Sequence, residues 1–480
     1  MKSEGKNIFL CLFFVLVATF AAFSSSVTND FVNWDDPQHL LDNPHVRQLD
    51  FQGIKNIFTS TPHETYIPLT ILSYAIEYKF FEYNPFVYHL TNLLLHLMVT
   101  TMIFFLGLRV GLNIRAATLA ALLFGIHPLH VEAVAWVTAR KDVLYSVFYV
   151  LTLYYYWRYL ETQRLKVYAL SLVFGLLSIL AKPMALSLPL ILFALDYLHR
   201  RKISKNIFID KLPHLLYIAP IGWITYSLHA RVPGASVFEG VLTWIWTFSF
   251  YLKKFFVPLN LLPLYQMPDP VSLGNPSYIF ALLIFCAFVF LMICFRSRRC
   301  VVFAGLFYAF SIFFLLRMDQ QADTSIVADR YMYLPSLGIC FLVGIAIDIL
   351  LRNQQVRVQQ AAFVMTVVVF IVLAVQTFNQ CKVWRDSVAL WSKAIEGNPN
   401  HPIAFNNRGK IYAEQKKYDL ALKDFQNALR LSPYHASAHS NLAYIYSAQG
   451  EPDKALLHYN NALEINPNLA EVYNNRGMIY

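Results

Sequence analysis

Mostly apolar runs of about 16 to 23 residues recur through the first 380 positions, and a chain built this way must satisfy its backbone inside elements that cross a bilayer. Runs of that length suit helices. They fall near 7–26, 86–108, 116–134, 142–160, 166–181, 184–199, 212–229, 277–295, 300–316, 334–351 and 359–378, about eleven spans. Hydrophobic residues make up 57% of the chain and charged residues 14%, too apolar for a water-soluble protein of this size. The first run follows Lys2 and Lys6 and is read as a retained helix, because the later spans already account for insertion.

The net charge of +10 has its own pattern. Basic residues gather in alternate short loops: Arg109 and Arg115; Arg158, Arg164 and Lys166; Arg200, Arg201, Lys202 and Lys205; Arg296, Arg298 and Arg299; Arg352 and Arg357. The positive-inside rule makes these loops cytoplasmic, puts the N-terminus inside and places everything after about Phe378 outside. Because the charge sets topology and forms no exposed stripe, nucleic acid is excluded as a partner. The six cysteines show neither paired nor metal-ligand spacing, so neither a disulfide framework nor a zinc site follows. The outer loops are then 27–85, 127–141, 229–277 and 317–333. The first contains a partly apolar stretch, Tyr66 to Phe81, suited to the interface. In the third, the aromatic segment Trp244 to Pro258 is interrupted by Lys253 and Lys254 and reads as re-entrant or interfacial.

From Lys382 the composition turns polar, and Pro399, Pro433 and Pro467 recur at the 34-residue tetratricopeptide period. The expected organisation is all-α: a polytopic membrane bundle over 1–381, then an α-solenoid over 382–480 with units 399–432, 433–466 and a partial 467–480. Ser387 to Glu396 fits the second helix of a preceding unit, which makes the linker short and stiff. The sequence stops at Tyr480 inside the first helix of a further unit, where a polar cap is normally needed, and reads as a fragment boundary.

Two loop clusters carry candidate chemistry. In Asn33-Trp34-Asp35-Asp36, adjacent carboxylates can divide the work of a general base and of an orienting group or cation ligand; Asp-Asp-Pro is also ordinary turn chemistry. The second is His127-Pro128-Leu129-His130-Val131-Glu132, followed by Arg140-Lys141-Asp142. Ionisable groups at membrane depth are costly and usually face a cavity or a partner. The His127 and His130 spacing leaves a divalent cation open, although Pro128 intervenes. Arg140 and Lys141 sit where a lipid phosphate would lie. Lys182 and Arg330, at the outer mouths of spans, extend that pattern, and outer loops are normally poor in such residues.

Taken in order, these motifs resemble the membrane-bound O-mannosyltransferases that carry transmembrane and tetratricopeptide segments, and their bacterial relatives. The resemblance covers essentially the whole chain. It rests on Trp34-Asp35-Asp36, His127-Pro128-Leu129-His130-Val131-Glu132-Ala133-Val134, Arg140 with Asp142, Ala181-Lys182 and Asp329-Arg330-Tyr331-Met332-Tyr333-Leu334-Pro335-Ser336. The chain departs from the family pattern at Pro183-Met184, where relatives often continue with an acidic residue after the lysine. The resemblance implies a GT-C fold, a polyprenyl-phosphate sugar donor and an acidic base in the first outer loop, with Asp35 first and Asp36 as its helper. Together with the outer-loop placement of the basic residues, this makes Arg140, Lys141, Arg330 and Lys182 the expected holders of the donor phosphate, with His127, His130, Glu132, Asp142, Tyr331 and Tyr333 as further cavity candidates. No cofactor is certain, and a divalent cation stays open. The repeats are expected to bind an acceptor polypeptide.

Two other classes remain. A membrane-anchored scaffold for envelope complexes would use only the repeats, yet one span would suffice to anchor them. A lipid-linked oligosaccharide ligase would share topology and donor but would not depend on a first-loop acidic pair. A transporter fits least, because no matching pair of Gly- or Pro-broken spans stands out. The absence of Asn-x-Ser/Thr sites in the outer loops points to a bacterial periplasm more than to an endoplasmic reticulum lumen.

Overall fold

A computed structural model describes residues 2–228, 236–314 and 326–479. The beginnings of two expected outer loops, 229–235 and 317–325, lie outside these residues. Among the described residues every regular element is helical, and the chain divides into two compact units.

The first unit comprises residues 1–261 and 267–384. A helix stands at each expected span: Lys2–Phe23, Pro85–Arg109, Ile114–Ile126, Arg140–Thr162, Leu165–Ala181, Leu188–Leu198, Leu212–Leu228, Pro276–Cys294, Arg299–Phe313, Ser336–Leu351 and Val356–Cys381. Among the described residues five helical stretches are by themselves long and apolar enough to cross a bilayer: Gly5–Thr28, Pro85–Arg109, Lys205–Leu228, Pro276–Cys294 and Val356–Trp384. The outward faces of these helices carry large apolar side chains such as Phe13, Trp223, Phe290 and Val364, while Arg140, Asp142 and Asp196 are buried. This inversion marks a multi-pass membrane protein, whose solvent outside the bundle is hydrocarbon.

The expected span 116–134 departs from a single helix. It stops at Ile126, and a 51° bend separates it from Pro128–Ala135. Pro128 explains the break, since the residue before a proline is driven out of the α region, and His127 is indeed extended at φ −75°, ψ 128°. The stretch expected along the interface forms the helix Pro68–Phe81, and the segment expected to be re-entrant lies in the helix Val237–Phe256.

At one end of this unit an ionic cluster ties helices together. Asp196 takes Lys211 on Oδ2, and the Tyr156 hydroxyl donates to its Oδ1 at 3.0 Å. Arg201 lies 3.4 Å from Asp196 and 2.6 Å from Asp210.

The second unit holds residues 385–480 with 262–266. Its helices Ser387–Gly397, Pro402–Glu414, Tyr418–Leu431, Ala436–Ala448, Pro452–Ile465 and Ala470–Gly477 follow the expected register, with Ser387–Gly397 as the second helix of a preceding pair. Small and aromatic positions of the repeat interlock in its core, as where Ala421 and Phe425 meet Leu442 and Ile445. Within the first pair Arg408 forks onto Asp424 through Nε at 2.8 Å and a terminal nitrogen at 2.9 Å.

Candidate functional site

The adjacent carboxylates of the first outer loop are placed in opposite ways. Asp36 is 1% exposed. Its Oδ2 accepts the Val32 amide at 2.8 Å, while its Oδ1 accepts the Thr138 hydroxyl at 2.9 Å and the Thr138 amide at 3.2 Å. It therefore ties the loop to the segment that leads into helix Arg140–Thr162. Burial pushes its carboxyl up to about 6, even though these hydrogen bonds favour the ionised form.

The Asp35 side chain is 26% exposed and lies 3.5 Å from the Lys141 ammonium. Burial works to raise its pKa, but Lys141, Arg330 and His39 together hold it below the ordinary carboxylate value. Asp35 is the ionised, reachable member of the pair, and Asp36 is the enclosed one.

Around Asp35 three cations and two aromatic rings alternate. Lys141 lies 6.0 Å from the Trp136 ring, and Arg330 lies 5.3 Å from the same ring on its way to Tyr331 at 4.8 Å. Lys182 follows, 5.2 Å from the Tyr331 ring. Each cation has an acidic neighbour: Lys141 has Asp35, Arg330 has Glu132, and Lys182 has Asp142. The Glu132 carboxylate also accepts the Arg330 amide at 3.0 Å. Three buried polar atoms in this row lack a hydrogen-bond partner, Trp136 Nε1, Arg330 Nε and Asp142 Oδ2. Unspent hydrogen-bonding capacity at this depth is expensive unless a ligand or water takes it up. The N-terminus of helix Arg140–Thr162 adds its positive dipole end to the same place.

Arg140 departs from the role expected of it. Its guanidinium is fully buried, pairs with Glu77, and donates to Asn92 at 2.8 Å, to the Tyr88 carbonyl at 3.0 Å and to Ser73 at 3.3 Å. It lies over Tyr74 at 4.7 Å. These contacts fix helices Pro68–Phe81 and Pro85–Arg109 to the start of Arg140–Thr162 and turn the side chain away from any ligand.

His127 and His130 likewise have both ring nitrogens engaged. His127 bonds the Phe255 carbonyl at 3.0 Å and accepts the Leu129 amide, while His130 bonds the Phe124 carbonyl at 2.7 Å and Ser336 at 2.9 Å. Tyr333 is buried against His96, its hydroxyl 2.7 Å from Nδ1. Among the described residues no group of three or more His, Cys, Asp or Glu side chains could hold a metal ion.

Trp136, Trp384, Glu77, Asn92 and Thr138 were not anticipated. The Trp34, Trp136 and Trp384 rings stack, with centroids 5.0 Å apart for 34–136, 5.2 Å for 136–384 and 6.2 Å for 34–384. Around them Ser25 donates to the Phe378 carbonyl at 2.9 Å and Asn29 to the Cys381 carbonyl at 3.1 Å. The start and end of the membrane unit thus meet beside the acidic pair. A lone glutamate in an apolar stretch is the signal that could have singled out Glu77.

Comparison with known proteins adds independent findings. The sequence model described as Tetratricopeptide repeat matches residues 401–468. The chain is 25% identical to Protein O-mannosyl-transferase F38B6.6 of Caenorhabditis elegans over 90% of its length, and 26% identical to Protein O-mannosyl-transferase TMTC4 of Mus musculus over 84%. It is 24% identical to Protein O-mannosyl-transferase TMTC3 of Homo sapiens over 82%. It spans 64% of each of the first two relatives and 48% of the third. Among solved structures it is similar to ArnT from Cupriavidus metallidurans bound to undecaprenyl phosphate, at 14% identity and a TM-score of 0.41 over 93% of this chain and 79% of that one. The Archaeoglobus fulgidus oligosaccharyltransferase tethered with an acceptor peptide matches at 14% identity and a TM-score of 0.44, over 86% and 58%. The resemblance in sequence to the tetratricopeptide-bearing protein O-mannosyl-transferases holds over most of the chain.

Proposed function

We propose that this chain, a relative of the tetratricopeptide-bearing protein O-mannosyl-transferases, is a GT-C-type membrane glycosyltransferase that moves a sugar from a polyprenyl phosphate to a Ser or Thr hydroxyl of a polypeptide. The observation that carries it is Asp35: an ionised, reachable carboxylate beside a row of cations that interleaves with Trp136 and Tyr331. The names of the relatives support the reaction class.

In this reading Asp35 accepts the hydroxyl proton as the acceptor oxygen attacks the anomeric carbon from the face opposite the leaving group. The bond from that carbon to the phosphate oxygen breaks, its electron pair stays on the phosphate, and the configuration inverts. Lys141 and Arg330, with Lys182 behind them, face the charge that grows there, and fixed cations favour that state over the bound substrate. A depressed pKa keeps Asp35 ionised at neutral pH and makes it a weaker base. The cations that depress it are the same ones that stabilise the leaving phosphate.

Asp36 and Arg140 act as positioning residues, holding the loop and the helix start in place. The repeats bind the acceptor polypeptide and raise its local concentration. In this reading the arginine- and lysine-rich alternate loops orient the reaction to the extracytoplasmic side, and the absence of Asn-x-Ser/Thr sites from the outer loops favours a bacterial inner membrane over an endoplasmic reticulum lumen.

A second reading has its own observation. Every cation in the row already has an acidic neighbour, as a structural ion-pair network would also require, and the chain would then be a scaffold built around its repeats. One experiment separates the two. Purified chain is incubated with polyprenyl-phosphate mannose and a Ser/Thr peptide library, and glycosylated peptide is sought by mass spectrometry. Transfer that disappears in Asp35→Asn supports the enzyme, and a folded wild-type protein without transfer supports the scaffold.

A further inference from the structure

The helix Pro85–Arg109 starts beside the Arg140 network and runs about 37 Å to the other end of the membrane unit. There a laterally open cleft of about 800 Å³ is lined by Ile8 and Cys11 of the first helix and by Leu108, Leu112 and Leu119. Arg115 and Arg352 stand at its rim.

A buried carboxylate organises that rim. Asp348 accepts the Asn113 amide at 2.8 Å and lies 3.1 Å from Arg352 Nε and 3.5 Å from Arg115 Nε. Both arginine side chains remain 53% exposed. Because Asp348 meets each guanidinium through Nε, the terminal nitrogens of both are left for another acceptor. Two guanidinium charges against one carboxylate leave a single net positive charge at the mouth of an apolar cleft.

We propose that this cleft binds one anionic glycerophospholipid, its phosphodiester held by Arg115 and Arg352 and an acyl chain lying along Ile8, Cys11 and Leu119. A phosphodiester has the single negative charge that the rim lacks, and the guanidinium fork matches its oxygens. Basic pockets between membrane helices hold anionic head groups in this way. The apolar lining calls for a tail as well, which separates a lipid from free phosphate. The site lies a helix length from Asp35 and stands whether or not the chain transfers sugar.

The test uses the purified full chain, delipidated in detergent, with thermal melting and native mass spectrometry as readouts. Phosphatidylglycerol should raise the melting temperature by about 3–6 °C and leave one lipid bound, while phosphatidylcholine and inorganic phosphate should do neither. Arg115→Gln with Arg352→Gln should abolish the shift. If that double variant fails to fold because Asp348 loses its partners, Thr118→Trp decides. It fills the cleft from a lining position, keeps both arginines and should also abolish the shift. A phosphatidylglycerol shift that survives Thr118→Trp, or an equal shift from phosphatidylcholine or from inorganic phosphate alone, overturns the proposal.

Discussion

The membrane unit contains two ionic clusters made from nearly the same parts, and they are built to opposite effect. Around Asp196, both carboxylate oxygens are taken by Tyr156, Lys211 and Arg201, and Lys211 and Asp196 are almost fully enclosed. Around Asp35, the cations and acids are paired just as regularly, yet Asp35 reaches solvent and Arg330 Nε and Asp142 Oδ2 lack partners. A charge buried in a bundle is costly in either case. A carboxylate enclosed with both oxygens taken, as Asp196 is, can only hold helices together, whereas one that reaches solvent beside cations, as Asp35 does, has something left to offer a ligand. An unpartnered atom does not separate the two, since Asp210 Oδ2 at the Asp196 cluster also lacks a hydrogen-bond partner; a carboxylate that reaches solvent separates a site from a clasp.

The largest test of that contrast is Asp35→Asn. Loss of a general base should lower transfer by about 10²–10⁴-fold while the melting temperature stays within about 1 °C of wild type. Peptide glycosylation and a melting curve on the same preparation check both, and an active Asn variant would remove the distinction.

Lys211→Ala should do the reverse. It strips a partner from an enclosed carboxylate, for which about 3 kcal/mol of destabilisation is expected, with turnover per folded molecule unchanged. A denaturation series alongside the transfer assay reads this out.

Asp36 gives a smaller, pH-dependent effect. Its folded pKa is raised, so the stability it contributes is present below the ordinary carboxylate pKa near 4 and is lost as the pH rises through about 6. Between pH 4 and pH 7 the wild type should lose about 2 kcal/mol relative to Asp36→Asn. Parallel melting curves across that range would refute the assignment.

Arg330→Lys is the mildest change. It keeps the charge but loses the planar group lying over Trp136 and Tyr331, and about a tenfold fall in kcat is expected with the fold intact. An unchanged kcat would mean that the row supplies charge alone.

What was legible in the sequence depended on the distance over which each feature is specified. Helix positions follow from local apolar runs, and the repeat register follows from prolines at a fixed period, so both appear where expected. The break at Pro128 is also local, but it was hidden because the residues around it continue the apolar run. The site was legible as a set of unusual residues and not as a geometry. Nothing near Arg140 in the chain announces that Glu77 will neutralise it, and Trp136 reads as one more apolar residue until Arg330, from a distant loop, lies over it. Partners chosen across 60 to 200 residues leave no periodic trace. Neighbouring Asp35 and Asp36 could not be told apart in sequence, because what distinguishes them is which one Thr138 reaches.

The indole stack has a consequence for how the molecule is made. Contacts beside it join residues 353 and 352 positions apart, from Ser25 to Phe378 and from Asn29 to Cys381. During synthesis the acidic pair emerges before the helix Val356–Cys381, and Trp384 follows only after it. Trp34 and Trp136 therefore wait for Trp384 until the helix Val356–Cys381 has been made, and the pocket around Asp35 is completed only when that helix enters the membrane.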